Sequence, residues 1–180
     1  MRYLKGTQDY SLWYKIGGNL DLKIFTDADW VGSIDDRKRT SGGELFLGKR
    51  LVSWKRKKKN SISQSTAEVE YVAVVVNYSN VVCFKQLLEG MKIEIKDIVV
   101  IFCENTCEIN ISKNLVMHTK TKHIAIKYHF LRELVQDKEV RLEYVNTKEQ
   151  IANIFTKPLP KDAFLYLRGK LGVFHLSEAH

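Results

Sequence analysis

From Leu22 to Trp30 the chain reads Leu-Lys-Ile-Phe-Thr-Asp-Ala-Asp-Trp. The first residues alternate roughly as a half-buried strand does, and two carboxylates arrive where such a strand stops. β-branched and aromatic residues favour a pleated, partly buried position and Asp disfavours it, so the pattern predicts a strand over about 22–27. A carboxylate at the carboxyl end of a strand is held rigidly and faces the crevice in which open α/β sheets bind ligands. The rest of the chain supplies candidates to join Asp27 and Asp29 there.

Other elements follow from the same patterning. Leu12–Ile16 is strand-like and runs into Gly17-Gly18-Asn19, a turn signal. Glu44–Leu47 and Leu51–Trp54 read as short strands joined at Gly48-Lys49, a pair suited to a tight hairpin. Ser65-Thr66-Ala67-Glu68 forms a capping box, which predicts a helix from Ser65 to about Glu89-Gly90. Ile98–Cys103 is continuously apolar, as a central strand covered on both faces should be, and ends in Glu104-Asn105. A short helix over 106–113 is expected. A longer one spans 121–136, with Ile124, Tyr128, Leu131 and Val135 on one stripe. A strand over 140–145, a helical stretch over 149–155 stopping before Pro158, a helix over 161–171 and a tail from Gly172 complete the reading. This order predicts an α/β domain with one mixed five-stranded sheet, three antiparallel strands then two parallel, and helices on both faces. If the apolar strand lies parallel beside the first, with the intervening helix as crossover, Asp27 and Glu104 emerge on the same sheet edge.

Composition narrows the function classes. The chain has 180 residues, 44% of them hydrophobic, enough for one domain with a single core. No apolar run is long enough to span a bilayer. Polar residues near the start argue against a signal peptide, so an intracellular setting without membrane contact is expected. Three cysteines fit a reducing compartment. Cys103 and Cys107 lack the partners of a zinc site. The formal net charge of +8 points to an acidic partner, most commonly nucleic acid, although a soluble domain can simply be basic. Lys55-Arg56-Lys57-Lys58-Lys59 is the densest cationic run. By itself it reads as a solvated loop, a nuclear address or a phosphate clamp.

Three acids stand out. Glu68 is occupied at the helix terminus, whereas Glu70 lies about 200° away round the axis and is the better site candidate. Asp27, Glu70 and Glu104 converging on one edge would repel one another unless cations joined them. Hard divalent ions bind such oxygens, and two of them about 3.5–4 Å apart can drive an in-line phosphoryl displacement. Surface acids paired with neighbouring lysines are the alternative reading of the same residues.

Five segments together carry a resemblance: Thr26-Asp27-Ala28-Asp29-Trp30; Arg37-Lys38 with Thr40-Ser41-Gly42; Ser65-Thr66-Ala67-Glu68-Val69-Glu70-Tyr71; Thr121-Lys122-His123-Ile124; and Ile154-Phe155-Thr156-Lys157-Pro158-Leu159. In this order they resemble the ribonuclease H domain of copia-type retrotransposon polyproteins, over nearly the whole chain. Arg2-Tyr3-Leu4-Lys5-Gly6-Thr7 resembles the segment that joins such a domain to the reverse transcriptase. The resemblance implies a ribonuclease H fold that cuts the RNA strand of an RNA–DNA hybrid with two magnesium ions, manganese being an alternative. It also implies a reverse transcriptase domain of the same polyprotein as partner, and a place in a cytoplasmic virus-like particle or the nucleus. On this basis residues 1–18 are a connecting segment, 19–158 the ribonuclease H-like domain, and 159–180 a C-terminal helix and tail.

The four acids of the family map onto Asp27, Glu70, Glu104 and Asn153. Glu104 and Asn153 stand where the family has Asp, and Ala125 where it usually has Asp. Glu104 keeps its charge but moves its oxygens by roughly 1.5 Å, one methylene. Magnesium demands near-octahedral oxygens at about 2.0–2.1 Å, so a weakened or lost activity is expected. Asn153 keeps a carbonyl ligand and loses the charge. Asp29 is the alternative to Asp27 as first ligand. Lys55, Arg56, Lys57, Lys58, Lys59, Ser65, Thr66 and His123 are candidates for gripping nucleic acid, Ser65 and Thr66 because a helix N-terminus attracts phosphate. For Ser65 and Thr66 helix capping, and for His123 a structural role, are the plainer readings. Trp30 and Trp54 are expected in the core rather than stacked on bases, and His118, His123 and His129 lack metal spacing. Two readings without cutting remain beside the nuclease: a nucleic-acid-binding relic and a host-adapted interaction domain.

Overall fold

A computed structural model describes residues 5–29, 40–58, 66–95, 97–104 and 122–178; the side chains of 29, 58, 66–72 and 122–128 lie outside the description. The predicted strand forms as β2 (Leu22–Asp29), continuing through both carboxylates. It pairs antiparallel with β3 (Thr40–Leu47), which pairs antiparallel with β4 (Arg50–Lys58). On its other side β2 lies parallel to β5 (Val99–Cys103), and β5 lies parallel to β6 (Val140–Tyr144). Among the described residues the sheet order is β4-β3-β2-β5-β6, the mixed five-stranded arrangement that the sequence predicts.

Side-chain alternation along these strands makes two cores. Leu22 and Ile24 of β2, Val99 and Ile101 of β5, and Val140 and Leu142 of β6 share one buried cluster. The helices α1 (Thr66–Gly90) and α2 (Lys122–Gln136) cover that face with Val74, Tyr78, Val81, Leu131 and Leu134. The opposite face carries Phe25, Phe46 and Leu51. These pack beneath Ile154 and Phe155 of α3 (Asn153–Thr156) and Leu171 of α4 (Lys161–Leu171). Ile24 and Ile101 are at most 1% exposed. Burying each stabilises by about 1.5–3 kcal/mol, and a one-residue slip of either strand would turn its isoleucine to the opposite face of the sheet. The register is thus fixed by the core.

Several expectations are corrected. The N-terminal strand is β1 (Tyr10–Leu12) rather than 12–16, because it pairs antiparallel with β7 (Val173–His175), part of the stretch read as a tail. Leu176–Glu178 then forms one turn of 3-10 helix. The helical stretch read over 149–155 shrinks to α3, preceded by turns. Lys55–Lys58 are not a loop: the pairings Gly43–Lys55 to Thr40–Lys58 carry β4 through them. Trp54, expected inside, is 57% exposed. It lines an apolar groove with Tyr10, Leu12, Phe155 and Phe164. The expected 106–113 helix, the Ser65 cap, Trp30 and His118 lie outside the described residues.

Gly43 lets α1 approach β3. A methyl group there would overlap the carboxamide of Asn77, a buried residue whose Nδ2 donates to the Ala73 carbonyl at 2.9 Å. Gly43→Ala should therefore lower stability by about 1–3 kcal/mol in denaturant unfolding. Adding Asn77→Ala should recover part of that loss, the signature of direct coupling.

Candidate active site

The acids meet because of strand pairing. Parallel pairing between β2 and β5 runs from Lys23–Val100 to Phe25–Phe102, and the two phenylalanine rings stack at 4.7 Å. Two residues further along each strand, on the same face, stand Asp27 and Glu104. Gln150, fully buried, ties the strand ends together: its Nε2 donates to the Thr26 carbonyl at 2.9 Å and lies 3.5 Å from the Phe102 carbonyl oxygen.

Residues of α3 and its approach then close over the carboxylates. Glu104 Oε1 accepts from Asn153 Nδ2 at 2.7 Å, and Glu104 Oε2 accepts from Thr147 Oγ1 at 3.1 Å. Asn153 Nδ2 also donates to the Thr147 carbonyl at 3.0 Å, which leaves buried Asn153 Oδ1 without a hydrogen-bond partner among the described residues. Turning the amide over would set oxygen against both Glu104 and the Thr147 carbonyl, so this orientation is the favourable one. Asp27, 7% exposed, accepts a hydrogen bond from Thr156 Oγ1 through Oδ2. Lys157 Nζ stands 3.6 Å from that same oxygen and 3.9 Å from Glu104 Oε2. Gly42, opposite Asp27 in β3, makes the approach of α3 possible, since a methyl group there would lie 3.0 Å from Thr156 Cγ2.

A further acid lies beneath. Glu44 sits on β3, on the face shared by Phe25 and Asp27, and is 1% exposed, with both carboxylate oxygens lacking hydrogen-bond partners among the described residues. Burial, reinforced by the nearby Asp27 carboxylate, pushes its pKa well above the ordinary range.

Two carboxylates and the unpartnered Asn153 oxygen are hard donors of the right kind for the divalent ions that the resemblance implies. No three His, Cys, Asp or Glu side chains converge on a metal position among the described residues. With an ammonium between the two acids, this donor set suits one divalent ion better than two.

Of the other predicted residues, Glu70 lies on α1, one turn before Ala73, which packs on Ala28 at the carboxyl end of β2. Its side chain, like those of Asp29, Thr66 and His123, lies outside the described residues, as do Ser65 and Lys59 altogether. Lys55, Arg56 and Lys57 are exposed along β4, and Arg56 pairs with Gly42, one strand beyond Asp27. Lys58 ends that strand. The sequence reading missed Thr147, Gln150, Thr156, Lys157 and Glu44 as parts of the site. Pro158 was the available signal for Lys157. A residue before proline is pushed out of the helical region, and Lys157 leaves α3 extended at φ −134°, ψ 153°.

No family model matches the chain. Among curated proteins, it is 38% identical over 173 residues to the retrovirus-related Pol polyprotein from transposon RE2 of Arabidopsis thaliana. To that from transposon TNT 1-94 of Nicotiana tabacum it is 33% identical over the same length. Both alignments take in 96% of this chain but only 12% and 13% of the relatives, so the chain spans a small part of the proteins it matches. Among solved structures, LC11-RNase H1, isolated from compost and crystallised with an RNA/DNA hybrid, superposes with a TM-score of 0.58 at 11% identity. That match covers 76% of this chain and 94% of that one. RNase H1 from Halobacterium salinarum gives 0.55 at 12% identity, over 81% and 98%. The chain is homologous to retrotransposon Pol polyproteins and has the ribonuclease H fold. In this ribonuclease H-like chain, Asp27 and Glu104 occupy the neighbouring ends of the two central parallel strands.

Glu44 yields a pH prediction. Its folded-state pKa is raised, so the folded form holds the proton more tightly than the unfolded chain does. The stability that Glu44 contributes is therefore fully present below the ordinary value of 4.5 and is lost as pH rises from there toward the raised one. Glu44→Leu should flatten that fall and stabilise the protein at neutral pH by about 1–3 kcal/mol, read by thermal unfolding across pH.

Proposed function

We propose that this chain is the nuclease module of a retroelement polyprotein, hydrolysing the RNA strand of RNA–DNA hybrids with magnesium or manganese. The observation that carries the reading is the pairing of Asp27 and Glu104 at one rim, with the turn of α1 bearing Glu70 beside it. Asp27, Glu104 and Asn153 Oδ1, with Glu70, would hold the divalent ion. Bound there, it would supply the charge that lowers the pKa of an attacking water and stabilises the leaving oxygen. The remaining residues position and bind. Gln150 fixes the strand ends, and Thr147 and Thr156 orient the two carboxylates. Lys55, Arg56 and Lys57, with Lys58, would grip the phosphate backbone along β4 in a salt-dependent manner. The hybrid in the LC11-RNase H1 crystal supports this substrate class. The resemblance to copia-type polyproteins implies a reverse transcriptase domain as partner, in a cytoplasmic particle or the nucleus.

A second reading, binding without cutting, is favoured by one feature: the acceptors of Glu104 are already taken up by Asn153, Thr147 and Lys157. A labelled hybrid incubated with magnesium, manganese or chelator separates the two. Weak metal-dependent cutting is expected, and Glu104→Asp with Asn153→Asp should raise it on the order of 10²-fold, because small misplacements of reacting groups cost about that much. A repaired protein that folds, binds hybrid and still does not cut would refute the nuclease reading.

A further inference from the structure

Lys157 has no role in the chemistry above, yet it stands where an added cation would neutralise the acids most directly. Its ammonium lies 3.6 Å from Asp27 Oδ2 and 3.9 Å from Glu104 Oε2, bridging the ends of two neighbouring strands. It is delivered there by the extended backbone that Pro158 imposes and by α3, which Thr156 fastens to the same Asp27 oxygen. Asn153 contributes in the same sense. Its amide hydrogens are directed at Glu104 and at the Thr147 carbonyl, where a carboxylate would repel both. Asp27, Glu104 and Lys157 together carry a single net negative charge, half of what the two carboxylates alone would offer a divalent ion. Asn153 Oδ1, in a residue 1% exposed and without a hydrogen-bond partner among the described residues, remains available to a cation or donor.

We propose that Lys157 is a built-in counter-cation of the Asp27–Glu104 pair, taking the electrostatic place of one of two divalent ions. The proposal deepens the nuclease reading and rests on it for its meaning, but its test needs no substrate. Lys157 is a positioning residue in this account: it holds the carboxylates together without metal and competes with metal for them. The site therefore keeps its shape in chelator, and divalent binding is weak and limited to one ion.

The test is a manganese titration of the full chain without nucleic acid, followed by electron paramagnetic resonance and calorimetry, for the parent, Lys157→Gln and Lys157→Arg. Removing a cation within 4 Å of both acids should tighten manganese binding at least about tenfold in Lys157→Gln. Lys157→Arg, which keeps the charge, should behave as the parent does. The parent should bind no more than one ion, and chelator should leave its unfolding temperature unchanged. Equal affinities in the parent and Lys157→Gln would overturn the proposal, as would tight binding by Lys157→Arg. Should Lys157→Gln be unfolded in chelator, circular dichroism decides: refolding on addition of manganese supports the proposal, and failure to refold overturns it. The nuclease reading is scored separately. Competition without hybrid cutting by any variant would sink that reading alone, while cutting with unaltered manganese affinity in Lys157→Gln would sink only the role of Lys157.

Discussion

The parallel pairing of β2 with β5 is the constraint on which everything else depends. Two strands more than seventy residues apart in the chain run side by side in the same direction, so their carboxyl ends arrive together. The stacked pair Phe25–Phe102 is the last rung of that pairing, and the next residues on the same face are Asp27 and Glu104. Isoleucines one residue out of phase, Ile24 and Ile101, bury themselves under α1 and α2 and lock the register from the other side. Core packing and acid placement are thus one fact seen from two faces of a sheet.

Bringing two carboxylates together in a half-buried rim creates repulsion that the fold must answer. The answer here is internal: two threonine hydroxyls, one carboxamide and one ammonium are directed at Asp27 Oδ2 and at both oxygens of Glu104. Glu44, on the neighbouring strand β3, is the counterexample, a buried carboxyl with no such donors among the described residues that is pushed toward its neutral form instead. The contrast shows two physical solutions to burying an acid, and only the first keeps charge available for chemistry.

Much of this was legible in the sequence, for reasons that can be stated. Leu22–Asp29 and Val99–Cys103 announce themselves by alternation and by a continuous apolar run, and long α1 by its apolar length and closing Gly90. Two of the acids that the strand pattern and the resemblance single out, Asp27 and Glu104, stand at the adjoining ends of paired strands. What stayed hidden depends on contacts between distant segments. Tyr10–Leu12 becomes a strand only because Val173–His175 lies beside it. Lys55–Lys58 continue a strand against their composition because β3 offers a row of backbone partners. Thr156 and Lys157 gain a role only once Gly42 lets α3 settle against the sheet. Glu44, in a run that otherwise reads as an ordinary strand, gives no local sign of being buried.

The position of β4 has one more consequence. Among the described residues it is the outermost strand on its side of the sheet, and an unpaired strand edge is a template on which a second molecule can add its own backbone. Lysines and an arginine placed there make such addition electrostatically unfavourable between copies while attracting a polyanion. On the nuclease reading proposed above, the same cations would serve solubility and substrate grip at once. Neutralising them would expose the sheet to self-association in the same step that removes its attraction for a polyanion.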